Sequence, residues 1–180
     1  MSAEFVLLGD ALWLEFVNTA RGRTASPADQ LPDHAAVQRW SRLHTLEVNP
    51  ADATFDHVVA LRGLLTDLAE ALDAGRHPPA RPIAVVNELL QGSPGADQLI
   101  RLNGGWQLRF TPAHPPDLLV ALARSAAITL TQPLHRVRRC ACEPCSLFFT
   151  DDTPTGSRRW CDPQQCGKDA RVERRRGSLR

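Results

Sequence analysis

The sequence predicts a mainly α-helical protein with one small β-hairpin, in which a helical N-terminal domain precedes a small cysteine-rich module. Five segments before residue 133 carry apolar residues at helical spacing, and one segment between them alternates apolar and polar residues as a hairpin does. All five cysteines lie between residues 140 and 166. A chain of 180 residues, 43% of them apolar, is long enough to bury one core and to carry a small module besides.

The first two helices are predicted from aspartates that precede apolar residues at helical spacing. In the segment from Gly9 to Arg21, Asp10 is a good N-cap and Gly22 stops the helix. The inner face of this helix consists of Leu12, Trp13, Phe16 and Val17. After a loop rich in Ser, Pro and Asp, Asp33 caps the second helix. Its inner face consists of Val37, Trp40 and either Leu43 or His44.

The third predicted helix is the longest of the five. It starts at Asn49-Pro50 and ends at Gly75, because proline suits the first turn of a helix and glycine suits the position after its end. Its apolar stripe consists of Phe55, Val58, Leu61 or Arg62, Leu65, Leu68 and Leu72. A short fourth helix is predicted from about Pro82 to Leu90, ending at Gly92.

The pattern then changes to the period of a β-strand. The segments Gln98 to Leu102 and Trp106 to Phe110 flank Asn103-Gly104-Gly105, and the second segment alternates apolar and polar residues. This combination predicts a β-hairpin. Because two strands are only marginally stable alone, we expect the hairpin to pack on the helices.

A fifth helix follows Pro115-Pro116, with Asp117 as its cap and Pro133 as its breaker. Its apolar stripe consists of Leu118, Leu122, Ala126 and Leu130. We place the domain boundary between Pro133 and Arg139. The helical domain then covers residues 1–134, and the cysteine-rich module covers residues 135–180.

The net charge of +1 conceals an uneven distribution of charged residues. Residues 1–135 contain 10 Lys and Arg against 14 Asp and Glu, and residues 136–180 contain 11 against 6, so the net charges are −4 and +5. No stretch approaches the roughly 18 apolar residues of a spanning helix, and the first nine residues do not have the pattern of a signal peptide. We therefore expect a cytoplasmic protein without a membrane partner, in which clustered cysteines bind metal rather than form disulfides.

The cysteines are spaced like the ligands of a zinc ion. Cys161 and Cys166 form one pair, and Cys145 forms the other with either Cys140 or Cys142. Spacing alone favours Cys142, because two intervening residues make the tightest common knuckle. Four thiolates leave no open position on the metal, so one structural Zn²⁺ is expected rather than a catalytic one. The predicted architecture is a helical N-terminal domain plus a small C-terminal zinc-binding module.

Basic residues near the cysteines are candidates for DNA contact. Arg158 and Arg159 directly precede Trp160-Cys161, where they either donate hydrogen bonds to thiolates and loop carbonyls or contact phosphate. A basic run with helical spacing follows the last cysteine and consists of Lys168, Arg171, Arg174, Arg175 and Arg176. The position of this run, on a zinc module attached to an acidic body, predicts nucleic-acid binding.

These residues resemble a known family, in which a CGNR-type zinc finger follows an N-terminal ABATE domain and whose members are described as stress-induced transcription regulators. The resemblance covers essentially the whole chain. In the module it is carried by Arg139-Cys140-Ala141, Cys145, Phe149-Thr150-Asp151, Ser157-Arg158-Arg159-Trp160-Cys161 and Cys166-Gly167. Near the N-terminus it is carried by Gly9-Asp10, Leu12, Glu15-Phe16-Val17-Asn18-Thr19 and Arg21-Gly22-Arg23.

The resemblance selects one of the two possible ligand sets. It implies that Cys142 does not bind the metal and that the zinc ligands are Cys140, Cys145, Cys161 and Cys166. Where the family motif reads Cys-Gly-Asn-Arg, this chain has Cys166-Gly167-Lys168-Asp169. The acid weakens any DNA contact carried over to position 169, although Lys168 can replace the charge. We interpret Gly167 as a backbone requirement at a turn beside the metal.

The leading hypothesis is a DNA-binding transcription regulator that is not an enzyme. In it the finger contacts DNA phosphates, while the helical domain forms a homodimer or senses an effector of unknown identity. Asn18 and Thr19 are interpreted as residues that satisfy carbonyls or a neighbouring loop. The sequence contains no nucleophile elbow, phosphate-cradling glycine loop or His-Glu metal motif. The alternative is a zinc-stabilised module for protein or RNA interaction without sequence-specific DNA binding.

Overall fold

The computed structural model describes residues 5–23, 28–46, 48, 54–102, 104–113, 117–132 and 136–177, of which 108, 112 and 174–177 are described by their backbone. Within these residues, six helices and two small antiparallel sheets follow one another. They are α1 (Leu12–Asn18), α2 (His34–Leu43), α3 (Phe55–Asp73), α4 (Ala80–Gln91), β1 (Gly95–Leu102), β2 (Gly105–Pro112), α5 (Leu118–Thr131), β3 (Val137–Arg139), β4 (Phe148–Thr150) and α6 (Cys166–Gly177). The predicted mainly helical fold is confirmed. None of the described helices has the length and apolar character needed to cross a membrane.

The shortest helix, α1, lies at the centre of the core. Trp13, Phe16 and Val17 are fully buried as predicted, and Leu12 is half-buried. The helix packs against α3, α5 and β4, and the indole N–H of Trp13 donates to Thr129 Oγ1 of α5 at 2.9 Å. A helix of 7 residues is unstable alone, so α1 depends on the elements that surround it.

Of the two residues predicted to complete the inner face of α2, Leu43 and His44, the histidine is the one that packs inwards. Val37 and Trp40 are fully buried, whereas Leu43 is 58% exposed. His44 is half-buried, and its ring centroid lies 4.4 Å from that of Trp40. The ring contact therefore continues the apolar face of α2 beyond Trp40.

Leu61 and Arg62, the two alternatives predicted at one position of the α3 stripe, are both buried. Arg62 is buried as part of an ion pair. The guanidinium of Arg62 donates to the two carboxylate oxygens of Asp29 at 2.8 and 2.6 Å and to Thr19 Oγ1 at 3.0 Å. Leu61 faces the core beside it. A buried guanidinium is tolerated because its charge is paired with a carboxylate.

Two of the three predicted aspartate caps are confirmed. The side chains of Asp33 and Asp117 each accept a backbone N–H from the first turn of their helix. The prediction for Asp10 is wrong, because α1 begins after Ala11 and Asp10 has a φ of 59°. Its carboxylate accepts a hydrogen bond from Arg158 at 2.7 Å instead.

The helix ends follow the predicted glycines. Gly75 has a φ of 64° just after α3, and Gly92 is the C-cap of α4. The described part of α3 begins after Thr54, whose hydroxyl accepts a backbone N–H of the first turn. Some predicted start, turn and breaker positions lie outside the described residues, namely Asn49-Pro50, Asn103, Pro115-Pro116 and Pro133.

The predicted hairpin forms. β1 and β2 pair antiparallel along their whole length, with residues 95–102 opposite residues 112–105. Gly104 in the connecting turn has a φ of 82°, a conformation that glycine adopts at little cost.

The expectation that the hairpin packs on the helices is wrong for most of its length. Leu99 and Trp106 are 63% and 66% exposed. The contact with the helices is at the base of the hairpin, where the guanidinium of Arg124 in α5 lies 4.6 Å from the ring centroid of Phe110. The eight residue pairs of the ladder extend beyond this base, so the distal part of the hairpin lies in solvent.

A side-chain amide joins the cysteine-rich module to the helical core. Asn18, the last residue of α1, is fully buried. Its Nδ2 donates to the carbonyl of Phe148, and the N–H of Phe148 donates to its Oδ1, both at 2.8 Å. The amide thus pairs with β4 as the backbone of a neighbouring strand would. Val137 and Phe148 belong to the same buried cluster as α1, so the module shares a core with the helices.

The loop that follows α1 extends this contact. The carbonyl of Gly22 accepts a backbone N–H from residue 146 at 2.9 Å. The guanidinium of Arg21 lies 4.6 Å from the ring centroid of Phe148, and Arg23 donates to Asp162 at 3.0 Å. The two predicted domains are therefore in close contact, and their boundary between Pro133 and Arg139 stays a prediction.

Removal of the Asn18 amide is expected to destabilise the protein. In Asn18→Ala, the buried N–H and C=O of Phe148 lose their partners, which costs about 2–4 kcal/mol. Urea unfolding of the zinc-loaded protein measures this loss. Asn87→Ala, at an exposed position of α4, is the matched control and should change stability little. Equal stability of the two variants would contradict the role assigned to Asn18.

Candidate metal centre and basic surface

Four of the five cysteines come together between the two strands and the last helix. Cys140 follows β3, Cys145 precedes β4, Cys161 lies in the loop beyond β4, and Cys166 begins α6. All four are buried, and their sulphur atoms lie within 4.8 Å of one another. The Cys145–Cys161 and Cys161–Cys166 sulphur distances are both 3.7 Å. Zn–S bonds of about 2.3 Å in a tetrahedron place the sulphurs about 3.8 Å apart, so the group fits a zinc ion.

Backbone hydrogen bonds hold the first two of these cysteines in place. The N–H of Cys140 donates to the carbonyl of Leu147 at 2.9 Å, which continues the ladder between β3 and β4. The N–H of Cys145 donates to the carbonyl of Cys142 at 2.8 Å, which closes a turn. The positions of both sulphurs are thus set by strands whose other residues are anchored in the core.

Without a cation among them, the four thiols cannot all ionise at neutral pH. Hydrogen bonds from Cys145 and Cys161 lower the pKa of Cys140 to about 2, and the pKa values of those two thiols are raised in turn. Burial and the neighbouring thiolate charge raise the pKa of Cys166 to about 12. A divalent cation lets all four sulphurs become thiolates, which is the ligand form that zinc binds. The expected cofactor, one structural Zn²⁺, is supported by this donor set.

Cys142 lies outside the group of four. It is buried, and its sulphur lies 3.6 Å from the carbonyl of Glu143. Burial, followed by the negative charges of Cys166 and Cys140, raises the pKa of Cys142 to about 11. The structure therefore gathers the set implied by the family resemblance, not the Cys142–Cys145 pair that local spacing favours. The turn from residue 142 to residue 145 is present, but it brings the carbonyl of Cys142, not its sulphur, to Cys145.

Gly167 packs closely against Trp160 and does not form an unusual turn. It lies in the first turn of α6, and a Cβ at this position would be 3.3 Å from Cε3 of Trp160. Our interpretation of this glycine as a conformational requirement is therefore wrong. The indole covers the start of the helix, and a side chain at residue 167 would require it to shift by a few tenths of an ångström.

Arg158 is used inside the module. Its guanidinium donates to the carbonyls of Trp160 and Cys161 at 3.1 and 2.6 Å and to the carboxylate of Asp10 at 2.7 Å. It also lies 4.5 Å from the ring centroid of Phe149. Of the two roles considered for this arginine, these contacts support the one that holds the loop carbonyls beside the metal site.

Arg159 differs from its neighbour. Its side chain is exposed, and its guanidinium lies 5.5 Å from the ring centroid of Trp160. Its backbone carbonyl accepts the N–H of Ala141 at 2.9 Å and thereby joins the two halves of the cysteine group. The side chain of Arg159 stays a candidate for phosphate contact.

The fully buried carboxylate of Asp151 organises the loop that leads to Cys161. Its Oδ1 accepts the backbone N–H and the hydroxyl of Thr153, and its Oδ2 accepts the backbone N–H of Arg158 and the Nε–H of Arg138. Burial works to raise the pKa of Asp151, but these hydrogen bonds hold it below the ordinary value of 3.8. The family resemblance includes Asp151, but the sequence does not indicate how many groups its carboxylate holds.

The basic run lies on α6, directly after the last cysteine. Lys168 and Arg171 are exposed, and neither forms an ion pair within the described part of the chain. The acidic residues Asp169 and Glu173 are exposed on the same helix. The side chains of Arg174, Arg175 and Arg176 lie outside the description, so their predicted contacts stay predictions.

Sequence reasoning did not identify the contacts of Arg21, Arg23 and Arg139 as links between the module and the helices. Arg21 and Arg139 both donate to Glu70 of α3, at 2.7 and 3.4 Å. Arg23 donates to Asp162, whose carboxylate also accepts two N–H groups just before α6. All three arginines belong to segments that carry the family resemblance. The residues next to them in the sequence give no sign that their partners lie so far along the chain.

The ligand set predicts opposite outcomes for two cysteine substitutions. Cys142→Ser should keep one zinc per chain, because its sulphur lies outside the group of four. Cys140→Ser should lose most of the metal, because a hydroxyl is a poor zinc ligand. Elemental analysis of the purified variants measures the zinc content, and the thiolate-to-metal absorption bands of cobalt-substituted protein report the number of sulphur ligands. The reverse order of zinc contents would show that Cys142 is a ligand.

The role of Asp151 is tested against its neighbour. In Asp151→Asn, the side chain loses its charge and one acceptor oxygen, so the loop should lose about 1–3 kcal/mol of stability. Asp152→Asn is the matched control, because Asp152 is exposed, and it should leave stability within about 0.5 kcal/mol. Urea unfolding of both zinc-loaded variants gives the comparison, and an unaffected Asp151→Asn would exclude the organising role.

Comparison with known families agrees with this geometry. The ABATE family model, described as "Putative stress-induced transcription regulator", matches residues 10–133. The CGNR zinc finger model matches residues 136–177. No curated protein matches the chain. Since the first model covers well over half of the chain and the second covers the cysteine-rich module, the chain belongs to the ABATE family and carries a CGNR zinc finger.

Proposed function

We propose that the protein is a zinc-dependent, DNA-binding transcription regulator that acts in the cytoplasm. The observation that carries this proposal is the position of α6, whose first residue, Cys166, is one of the four clustered cysteines. The metal therefore fixes the start of a helix that presents Lys168 and Arg171 to solvent. A helix held in this way can offer its cations to a phosphate backbone without first becoming ordered.

Among the described side chains of α6, the charges are separated by sign. Lys168 and Arg171 are three residues apart and lie on one face, whereas Asp169 and Glu173 are four residues apart and lie on another. Glu173 lines a shallow depression with Arg159 and does not screen the basic face. The cationic face can thus approach DNA while the acidic one points elsewhere.

The structure favours DNA phosphates over stacked RNA bases as the partner of this surface. Recognition of single-stranded RNA relies on aromatic side chains that stack on bases. In the described module, Phe148 and Phe149 are fully buried, and Trp160 is half-buried against Gly167. The face that Lys168 and Arg171 share presents cations and no aromatic ring among the described side chains, so we rank a protein- or RNA-interaction module second.

The zinc ion has no catalytic role in this proposal. Four thiolates complete its tetrahedral shell, so no position is left for water or substrate. The proposal that the protein regulates transcription in response to stress is taken from the description of the family, and it assigns no effector. The ion stabilises the finger, and the basic helix makes the contact.

Removal of the basic face should weaken DNA binding in a salt-dependent way. Lys168→Ala and Arg171→Ala should each reduce the slope of log K against log salt concentration by about 0.9, because each removes one phosphate contact. Fluorescence anisotropy with a labelled duplex at several salt concentrations measures the slope. Arg81→Ala, an exposed arginine on α4, is the matched control and should leave the slope unchanged.

Two further measurements complete this test. Removal of zinc by a chelator should abolish binding, because α6 then loses its anchor at Cys166. Asp169→Arg, which restores the cation of the family motif, should increase the affinity. Absence of binding to any duplex at low salt by the zinc-loaded protein would overturn the proposal.

A further inference from the structure

The outer edge of β1 has the exposed backbone groups that another strand requires. Within the described residues the hairpin sheet has two strands only, so the other side of β1 carries no partner. The N–H of Ala113 donates to the carbonyl of Pro94 at 2.9 Å, which shows that even-numbered residues of β1 bond to β2. The N–H and C=O groups of Asp97, Leu99 and Arg101 therefore point away from β2.

The side chains of the same three residues lie on one face and are exposed. Leu99 is 63% exposed, and Asp97 and Arg101 are exposed at either side of it. Neither charged group forms an ion pair with a described residue. Four residues along a strand separate them by about 13 Å, which is too far for a pair within one chain. The edge thus presents an acid, an apolar residue and a base at equal intervals.

This order is complementary to itself when the strand is reversed, and we infer that β1 pairs antiparallel with β1 of a second copy of the chain, about a two-fold axis at Leu99. Leu99 then faces its own equivalent. Asp97 of each copy faces Arg101 of the other, which gives two ion pairs. All three residue pairs are of the hydrogen-bonded kind, because their backbone groups already point outwards. The result is a four-stranded antiparallel sheet with closed two-fold symmetry.

The neighbouring aromatic residues complete the arrangement. In the register of the hairpin, Arg101 lies opposite Trp106, and Asp97 lies opposite Phe110, on the same face as Leu99. Each ion pair between copies would therefore be flanked by Trp106 of one copy and Phe110 of the other. Trp106 is 66% exposed in one chain, and in this sheet its ring would contact side chains of the second copy.

The charges also decide between this pairing and its competitors. A parallel pairing in register would place Asp97 against Asp97 and Arg101 against Arg101, which is unfavourable. The free edge of β2 ends in Pro112, which has no N–H to donate. Once two β1 strands have paired, the outer edges of the sheet are both β2, so growth beyond a dimer is disfavoured.

The inference is tested by reversing the charges of Asp97 and Arg101, first one at a time and then together. Asp97→Arg leaves two arginines on the edge and Arg101→Asp leaves two aspartates, so each single variant places like charges opposite one another in both pairs. Sedimentation velocity under reducing conditions should find a dimer for the zinc-loaded wild type and a dimer dissociation constant at least about tenfold higher for each single variant. An equimolar mixture of the two variants restores both opposite-charge pairs and should form a heterodimer, which native mass spectrometry identifies by mass. The double variant Asp97→Arg/Arg101→Asp should dimerise as the wild type does.

Arg109→Asp is the matched control, because Arg109 is exposed on β2 and its backbone groups bond to β1. It should leave the dimer unchanged, and circular dichroism and zinc content should be equal for all variants. A monomeric wild type at about 100 µM would overturn the inference, as would single variants that dimerise like the wild type. Recovery in the mixture but not in either variant alone cannot come from misfolding. DNA binding is not part of the readout, so failure here is distinct from failure of the proposed function.

Discussion

The position of the zinc module depends on the paired hydrogen bonds between the Asn18 amide and the backbone of Phe148. They occur where solvent cannot replace them, because both residues are fully buried. A lost hydrogen bond in such a place leaves a desolvated polar group, so the interaction selects one register of β4 against α1. Phe148 follows Cys145 by three residues, and β3, which ends just before Cys140, pairs with β4. The first pair of zinc ligands is therefore positioned by a residue of the first helix, Asn18, which lies 130 residues before its partner Phe148.

The second pair of ligands depends on a different set of contacts. Asp151 holds the loop after β4, and Arg158 ties the carbonyls of Trp160 and Cys161 to Asp10, which directly precedes the N-cap of α1. Both halves of the metal site are thus tied to opposite ends of the same short helix. The positions of both pairs of ligands therefore depend on how α1 is packed. Each of these links is a hydrogen bond between the side chain of one element and a group of the other.

The parts of the fold that follow from local chemistry were predictable from the sequence. Helices α2, α4 and α5, the hairpin turn at Gly104 and the zinc-binding character of the module depend on residues close together in the chain. The sequence could not show that Asp10 does not cap α1. Its carboxylate binds Arg158, which lies 148 residues away in the chain. Likewise, spacing favoured Cys142 as a ligand, and only the folded turn shows that its carbonyl, not its sulphur, is the group used. The family resemblance selected Cys140, since it carries information about three-dimensional contacts that periodicity does not.

Several charges of the described part of the finger are already neutralised by partners within the protein. Four thiolates around Zn²⁺ contribute two negative charges, and the carboxylates of Asp10 and Asp151 occupy Arg158 and Arg138. Within the described module, the exposed cations without a carboxylate partner are Arg159, Lys168 and Arg171. Under the proposed function, phosphate contacts from these three cations would give a slope of about −2.7 in log K against log salt concentration, before any contact made by Arg174, Arg175 and Arg176. If the proposed function and the proposed dimer both hold, two fingers carried on one dimer would double the phosphate contacts of a single chain and read two half-sites, so the affinity for DNA would depend on whether the copies associate.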